Sequence, residues 1–100
     1  MLDRLTVKDF EPLVGQGFRV RYPDHAETLT LTEASSMAHH VARPGDREGF
    51  SLVFEGESRE IVLNQKIHTL ESDSMGRLEL FLVPIGRTDA GTFLYEAVFT

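Results

Sequence analysis

The stretch Arg77–Ile85, RLELFLVPI, decides the fold together with Thr92–Phe99, TFLYEAVF, because these are the most apolar parts of the chain. Side chains alternate between the two faces of a β-strand, so a strand with one wet face is apolar at every second position. The first stretch keeps this alternation only at Arg77 and Glu79 and is then apolar on both faces, as in a strand covered on both sides. Between the stretches, Gly86–Gly91 supplies the glycines and the aspartate that favour a turn. We therefore predict a β-hairpin.

Two interpretations of this hairpin stay open. In the first, the hairpin is central and the core covers both of its faces. In the second, one face is an exposed apolar surface that docks a partner protein or a second copy of the chain. Pro84 cannot donate to a β-ladder, so we expect it at an edge, a bulge or the end of the strand. The candidate docking residues are the large apolar side chains of the two strands: Phe81, Val83, Ile85, Phe93 and Tyr95.

Other stretches alternate in the same way and predict further strands. Together with the hairpin they give about six or seven strands joined by short turns, which is typical of a small barrel or sandwich. We predict a single all-β domain over residues 1–100, a small antiparallel barrel or a two-sheet sandwich. The additional strands are predicted at Gly17–Tyr22, Glu27–Thr32 with an extension to Ala34, Phe50–Gly56 and Lys66–Glu71.

One short helix is predicted at the N-terminus. Thr6 can cap it, and the carboxylate of Asp9, three residues later, can reach back to the cap. Pro12 limits the helix to one or two turns. Three apolar residues at helical spacing form the face that we expect to pack on the sheet: Phe10, Leu13 and Val14.

Composition bounds the function more than it defines it. The chain has no cysteine, which excludes disulfides, thiolate metal sites and a cysteine nucleophile. Its formal charge is −6, and its basic residues are scattered among acids, so we expect no nucleic-acid partner. No apolar run approaches the roughly 20 residues needed to cross a bilayer, and the N-terminus lacks a signal pattern. We expect a cytoplasmic protein with no membrane partner.

The residues that could carry chemistry are sparse, and we predict no enzyme, metal or cofactor. His39 and His40 are adjacent, so in an extended chain they point to opposite faces and cannot share a metal without a turn. They belong to Met37–Gly49, which we expect to be an exposed, mobile loop. Arg19 and Arg21 could bind an anion, but pairing with acids on the next strand is the favoured interpretation.

Three functions from different classes remain. The leading one is a non-enzymatic interaction or assembly module that self-associates or docks a protein through the apolar hairpin surface. The alternative is a small β-barrel that binds a small apolar ligand in its interior or mouth, lined by Phe18, Phe54 and Tyr95. The third is a hydrolase or metal enzyme that uses His39, His40 or His68.

Three stretches resemble a family of small uncharacterised bacterial domains of about this length. Leu5–Val20 and Phe50–Gly56 carry part of the likeness, and the ending FLVPIG…YEAVF carries the rest. The family has no assigned activity, and the resemblance implies no catalytic residues. The resemblance implies a place beside phage-tail-collar-like proteins in bacterial genomes, and with it an accessory or assembly role. The chain departs from the family pattern QGxYxLEH over Gln65–Ser72. His68 replaces the aromatic residue of the pattern, and Ser72 replaces its histidine. This departure puts any function of that histidine in doubt.

Overall fold

Helical structure among the described residues is confined to the start of the chain. In this computed structural model, which describes residues 5–22, 25–37 and 49–99, helix α1 spans Val7–Phe10 and a 3-10 turn follows at Glu11–Leu13. The Thr6 amide donates to the Asp9 carboxylate at 2.8 Å, as predicted. Phe10 and Leu13 are buried, but Val14 is 46% exposed because its backbone is already extended and helical spacing no longer applies there.

The described residues form six strands, and the chain runs through them in antiparallel pairs. The predicted bounds of the first strand are confirmed, and the second strand is longer than predicted at both ends. The strands are β1 (Gly17–Tyr22), β2 (His25–Met37), β3 (Gly49–Glu55), β4 (Lys66–Ser72), β5 (Gly76–Arg87) and β6 (Phe93–Phe99).

The strands close into a barrel in the order β1-β2-β3-β6-β5-β4. Closure is made by β4, which pairs back with β1 at Arg19↔Glu71 and Val20↔Leu70. The predicted all-β fold with one short N-terminal helix is confirmed, and the arrangement is a barrel and not a sandwich. A single closed sheet leaves no unpaired sheet edge along its paired strands.

Apolar side chains at alternate strand positions fill the barrel interior. Phe18 and Phe54 meet edge to face with ring centroids 5.3 Å apart. Phe50 and Phe99 stack at 4.4 Å, and Phe10 from α1 lies against both rings at 5.8 and 5.7 Å. The N-terminal helix therefore packs onto the barrel core through Phe10, next to Phe50 and Phe99.

The predicted hairpin is formed by β5 and β6, but the interpretation that the core covers both of its faces is wrong. Leu78, Leu80 and Leu82 point inward and are buried. Phe81, on the other face, is 50% exposed because the closed barrel has one layer and the described chain places nothing over that side. Pro84 lies at an irregularity in the β5–β6 register, as predicted for a residue that cannot donate to the ladder.

The predicted loop Met37–Gly49 falls almost entirely on residues 38–48, which lie outside the described residues, and His39 and His40 lie there too. Within the part of the chain that is described, no helical segment has the length and apolar character needed to cross a membrane.

Candidate functional site

The outside of the barrel carries an apolar surface across neighbouring strands. Ile67 of β4 lies directly opposite Phe81 of β5, and both point away from the core. On β6, Val98 is 51% exposed. Val83 of β5 lies opposite Glu96 of β6, two residues before Val98, so the apolar surface continues from β5 onto β6. We call this surface the outer apolar face and define it by five residues: Ile67, Phe81, Val83, Ile85 and Val98.

The opposite side of the barrel is polar. Arg19 and Arg21 alternate outward on β1, and threonines alternate outward along β2. Arg19 pairs with Asp73 at 3.1 Å, and Arg21 approaches Glu71 at 4.0 Å, so both arginines do face acids. The acids lie on β4 and just after it, however, and not on the next strand of the chain, because β4 closes the barrel against β1. The apolar character of the outer surface is therefore concentrated on one side, where it needs an explanation.

The structure separates the five predicted docking residues into three groups. Phe81, Val83 and Ile85 lie on the outer apolar face. Phe93 is half-buried, and the Arg87 guanidinium lies 4.5 Å from its ring centroid. Tyr95 is fully buried inside the barrel, so its placement on an outer surface is corrected.

Sequence reasoning missed Ile67 and Val98. Alternation could have found both, since Ile67 is out of phase with the buried Leu70 and Val98 is out of phase with the buried Ala97 and Phe99. What alternation lacks is the strand pairing that sets Ile67 beside Phe81.

A second cluster lies at one end of the barrel and is polar and buried. The side chain of Glu27 has no exposed surface. Its carboxylate accepts hydrogen bonds from His25 Nε2 at 3.1 Å and from the backbone amides of Glu57 and Ser58 at 3.0 and 3.2 Å. A buried carboxylate is tolerated only with such partners, so Glu27 ties the segment after β3 to the start of β2.

His68 anchors the other side of the same cluster. Its Nε2 donates to the Asn64 carbonyl at 2.6 Å, because a carbonyl oxygen can only accept. With the ring proton on Nε2, Nδ1 is an acceptor, and the Tyr22 hydroxyl donates a hydrogen bond to it. Burial raises the pKa of the Tyr22 phenol above its ordinary value, and the negative charge of Glu27 raises this pKa further.

Tyr95 completes the cluster from the core. Its hydroxyl accepts the backbone N–H of Leu63 at 2.9 Å. Burial raises the pKa of Tyr95, the Leu63 hydrogen bond opposes this, and the charges of Glu27 and Tyr22 add to the increase. The phenol therefore stays neutral, and its hydroxyl is a fixed hydrogen-bond acceptor for the segment between β3 and β4.

This geometry bears on the other two functions. Phe18, Phe54 and Tyr95, the predicted pocket lining, are all fully buried against the packed interior, so a ligand there would have to displace core side chains. His68 is held by Tyr22 and Asn64. Among the described residues, no group of three or more histidine or acidic side chains is placed to hold a metal ion.

Comparison with known proteins identifies a family. The family model described as a domain of unknown function (DUF6916) matches residues 5–99. Neither the comparison with curated proteins nor the comparison with solved structures finds a match.

Proposed function

The chain belongs to the DUF6916 family of domains of unknown function, and from that premise we propose that it is a non-enzymatic interaction module that associates through its outer apolar face. The observation that carries the proposal is the exposure of large apolar side chains on adjoining strands. Ile67 is 63% exposed, Phe81 50% and Val98 51%. Adjoining exposed apolar side chains on a small domain mark interaction surfaces more often than scattered single residues do.

A second copy of the chain is the occupant that we favour. The borders of the face carry both signs of charge. Glu79 lies next to Phe81 on the outer side of β5, and Arg77 follows two residues further along that side, where it approaches Glu71 at 4.0 Å. Glu96 lies next to Val98 on β6. A two-fold dimer brings the same patch of two copies together, so a border of mixed sign can complement itself. A partner of one strong charge would instead favour a border of the opposite sign.

The test is the solution mass by light scattering after size exclusion, over a concentration series. We expect the mass to rise above the 11.3 kDa of one chain as concentration increases. Phe81→Ser and Ile67→Ser, which remove exposed apolar surface, should shift the midpoint of association to higher concentration. Val14→Ser is the matched control, because Val14 is 46% exposed but lies beside the N-terminal helix.

A monomer at every concentration would overturn self-association. Equal effects of Phe81→Ser and Val14→Ser would also contradict the proposal, because association would then depend on general hydrophobicity and not on the face. The resemblance to a family encoded beside phage-tail-collar-like proteins supports an assembly role. We also propose a cytoplasmic location.

A further inference from the structure

A cleft of about 360 Å³ opens beside the end of β1. Its walls include Tyr22 and His25 on the barrel side and Ile61 and Val62 on the other side, within residues 56–65, which we call the β3–β4 loop. Small-molecule sites in proteins typically occupy about 300–1,000 Å³. The cleft is separate in its residues from the outer apolar face, so it requires its own explanation.

The β3–β4 loop is fixed at both ends although it is not a strand. At its start, the buried Glu27 carboxylate accepts the two amides of Glu57 and Ser58. Towards its end, the Leu63 amide donates to Tyr95, and this leucine side chain is only 3% exposed. In between, the Ser58 hydroxyl accepts the Ile61 amide at 2.9 Å. The cleft wall is therefore preformed, which lowers the entropy cost of binding a ligand.

Two aliphatic side chains are left exposed by this fixed loop. Ile61 is 46% exposed and Val62 45%, although the next residue, Leu63, is buried. The hydrogen bonds on either side keep the loop backbone in place, so these two side chains cannot turn into the core without breaking them. Together with the Tyr22 ring they give the cleft an apolar wall.

The charged groups of the cleft select the polar part of a ligand. The Lys66 ammonium lies 5.7 Å from the centroid of the Tyr22 ring, and within the described residues it makes no ion pair. The described lining contains no carboxylate, and the nearby Glu27 is fully buried and paired with His25. Within the described lining, an anion would therefore meet the Lys66 ammonium and no opposing carboxylate.

We propose that the cleft binds a small apolar carboxylate, with its apolar body against Tyr22, Ile61 and Val62 and its carboxylate beside the Lys66 ammonium. Aromatic acids fit this description, because a ring can pack on the Tyr22 ring while the acid group reaches the lysine. The proposal does not depend on association through the outer apolar face.

The test is a titration of ¹⁵N-labelled protein with sodium benzoate, followed by amide chemical shifts, with benzyl alcohol as the neutral probe. We expect benzoate to bind in the millimolar range and to shift the amides of the β3–β4 loop, Tyr22 and His25. Lys66→Met, which removes an exposed charge and keeps an apolar stem, should weaken benzoate by about threefold and leave benzyl alcohol unchanged. The chain's other lysine gives the control, Lys8→Met, which should change neither ligand.

Several outcomes would overturn the site. The first is the absence of saturable shifts in the cleft at benzoate concentrations up to about 20 mM. The second is a set of shifts centred on Ile67 and Phe81, which would assign benzoate to the outer apolar face. The third is equal binding of benzoate and benzyl alcohol with no effect of Lys66→Met, which would remove the anion selectivity. Ile61→Ser serves as an independent variant, because Ile61 is exposed and its loss should weaken both probes.

Discussion

Ile67 of β4 and Phe81 of β5 face each other across the strand pair on the outside of the barrel, with 63% and 50% of their surfaces exposed. Cross-strand apolar pairs of this kind contribute roughly 0.2–1 kcal/mol relative to alanine. We predict a coupling energy in that range for the cycle of Ile67→Ala, Phe81→Ala and the double variant. Urea unfolding of dilute protein measures it, because dilution separates the contact within one chain from any contact between copies.

The same cycle with Val14→Ala in place of Ile67→Ala provides the control. Val14 is also half-exposed but lies next to the N-terminal helix, so its effect should add to that of Phe81→Ala within about 0.3–0.5 kcal/mol. If the Ile67–Phe81 cycle were equally additive, the two side chains would not support each other and the outer apolar face would lose its central contact.

The fold was largely predictable because strand alternation is a local property. The bounds of β1 at Gly17–Tyr22 came directly from alternating apolar and basic residues. The apolar run in β5 led to the wrong interpretation of the hairpin because only local alternation was used. A stretch that is apolar on both faces does not show which face is inward. Only the closure of the barrel, a long-range feature, puts Leu80 inside and Phe81 outside.

The candidate sites were predictable only in part. Alternation does place Glu27 on the same face as the buried Leu29, which is a signal that an acid enters the core. Its partners at Glu57 and Ser58 are about thirty residues away, and no local pattern predicts them. The hydrogen-bond partner of Tyr95 could not be predicted either, because only the fold brings its hydroxyl to the Leu63 amide.

Replacing Glu27 should cost more stability than replacing any exposed acid of the chain. Glu27→Gln keeps the size of the side chain but replaces one of two accepting oxygens by an NH₂ group, which then faces either His25 Nε2 at the Oε1 position or the amides of Glu57 and Ser58 at the Oε2 position. Hydrogen bonds to a charged group are worth about 1.5–3 kcal/mol each, and we predict a loss of about 2–3 kcal/mol in the free energy of unfolding. Chemical denaturation at neutral pH measures it. Glu60→Gln, at an exposed position of the β3–β4 loop, should change stability by less than about 0.5 kcal/mol.

Gly56 is required because of Glu27. A Cβ atom on Gly56 would lie 2.4 Å from Glu27 Oε2 and 3.3 Å from Tyr95 Cε2. Gly56→Ala must therefore displace the carboxylate from its amide partners, and we predict a loss of about 1–3 kcal/mol in the free energy of unfolding. In a Glu27→Ala background the same change should cost much less, since the obstructing oxygen is gone.

Gly86→Ala is the control for Gly56→Ala. A Cβ atom at Gly86 would meet nothing within 4 Å, so this change should leave the unfolding midpoint in urea nearly unchanged. Equal losses at Gly56 and Gly86 would indicate a general cost of replacing glycine and not the contact with Glu27. A loss at Gly56 that persists in the Glu27→Ala background would contradict the assigned contact.

Stability should fall in alkaline solution through Tyr22 and Tyr95. Burial and the charge of Glu27 raise both phenol pKa values in the folded chain above 10.0, the value expected in the unfolded chain. This stabilisation is complete below pH 10.0 and is lost as pH rises through the folded pKa values, because the unfolded chain releases its phenolic protons first. Urea unfolding between about pH 8 and pH 11 should show the decline, and Tyr22→Phe and Tyr95→Phe should each make it shallower. At neutral pH Tyr95→Phe should cost about 1–2 kcal/mol by leaving the buried Leu63 amide unpaired, and Tyr22→Phe should also cost stability because it removes the hydrogen bond to the buried His68. A double variant with the full alkaline decline would assign that decline to other groups.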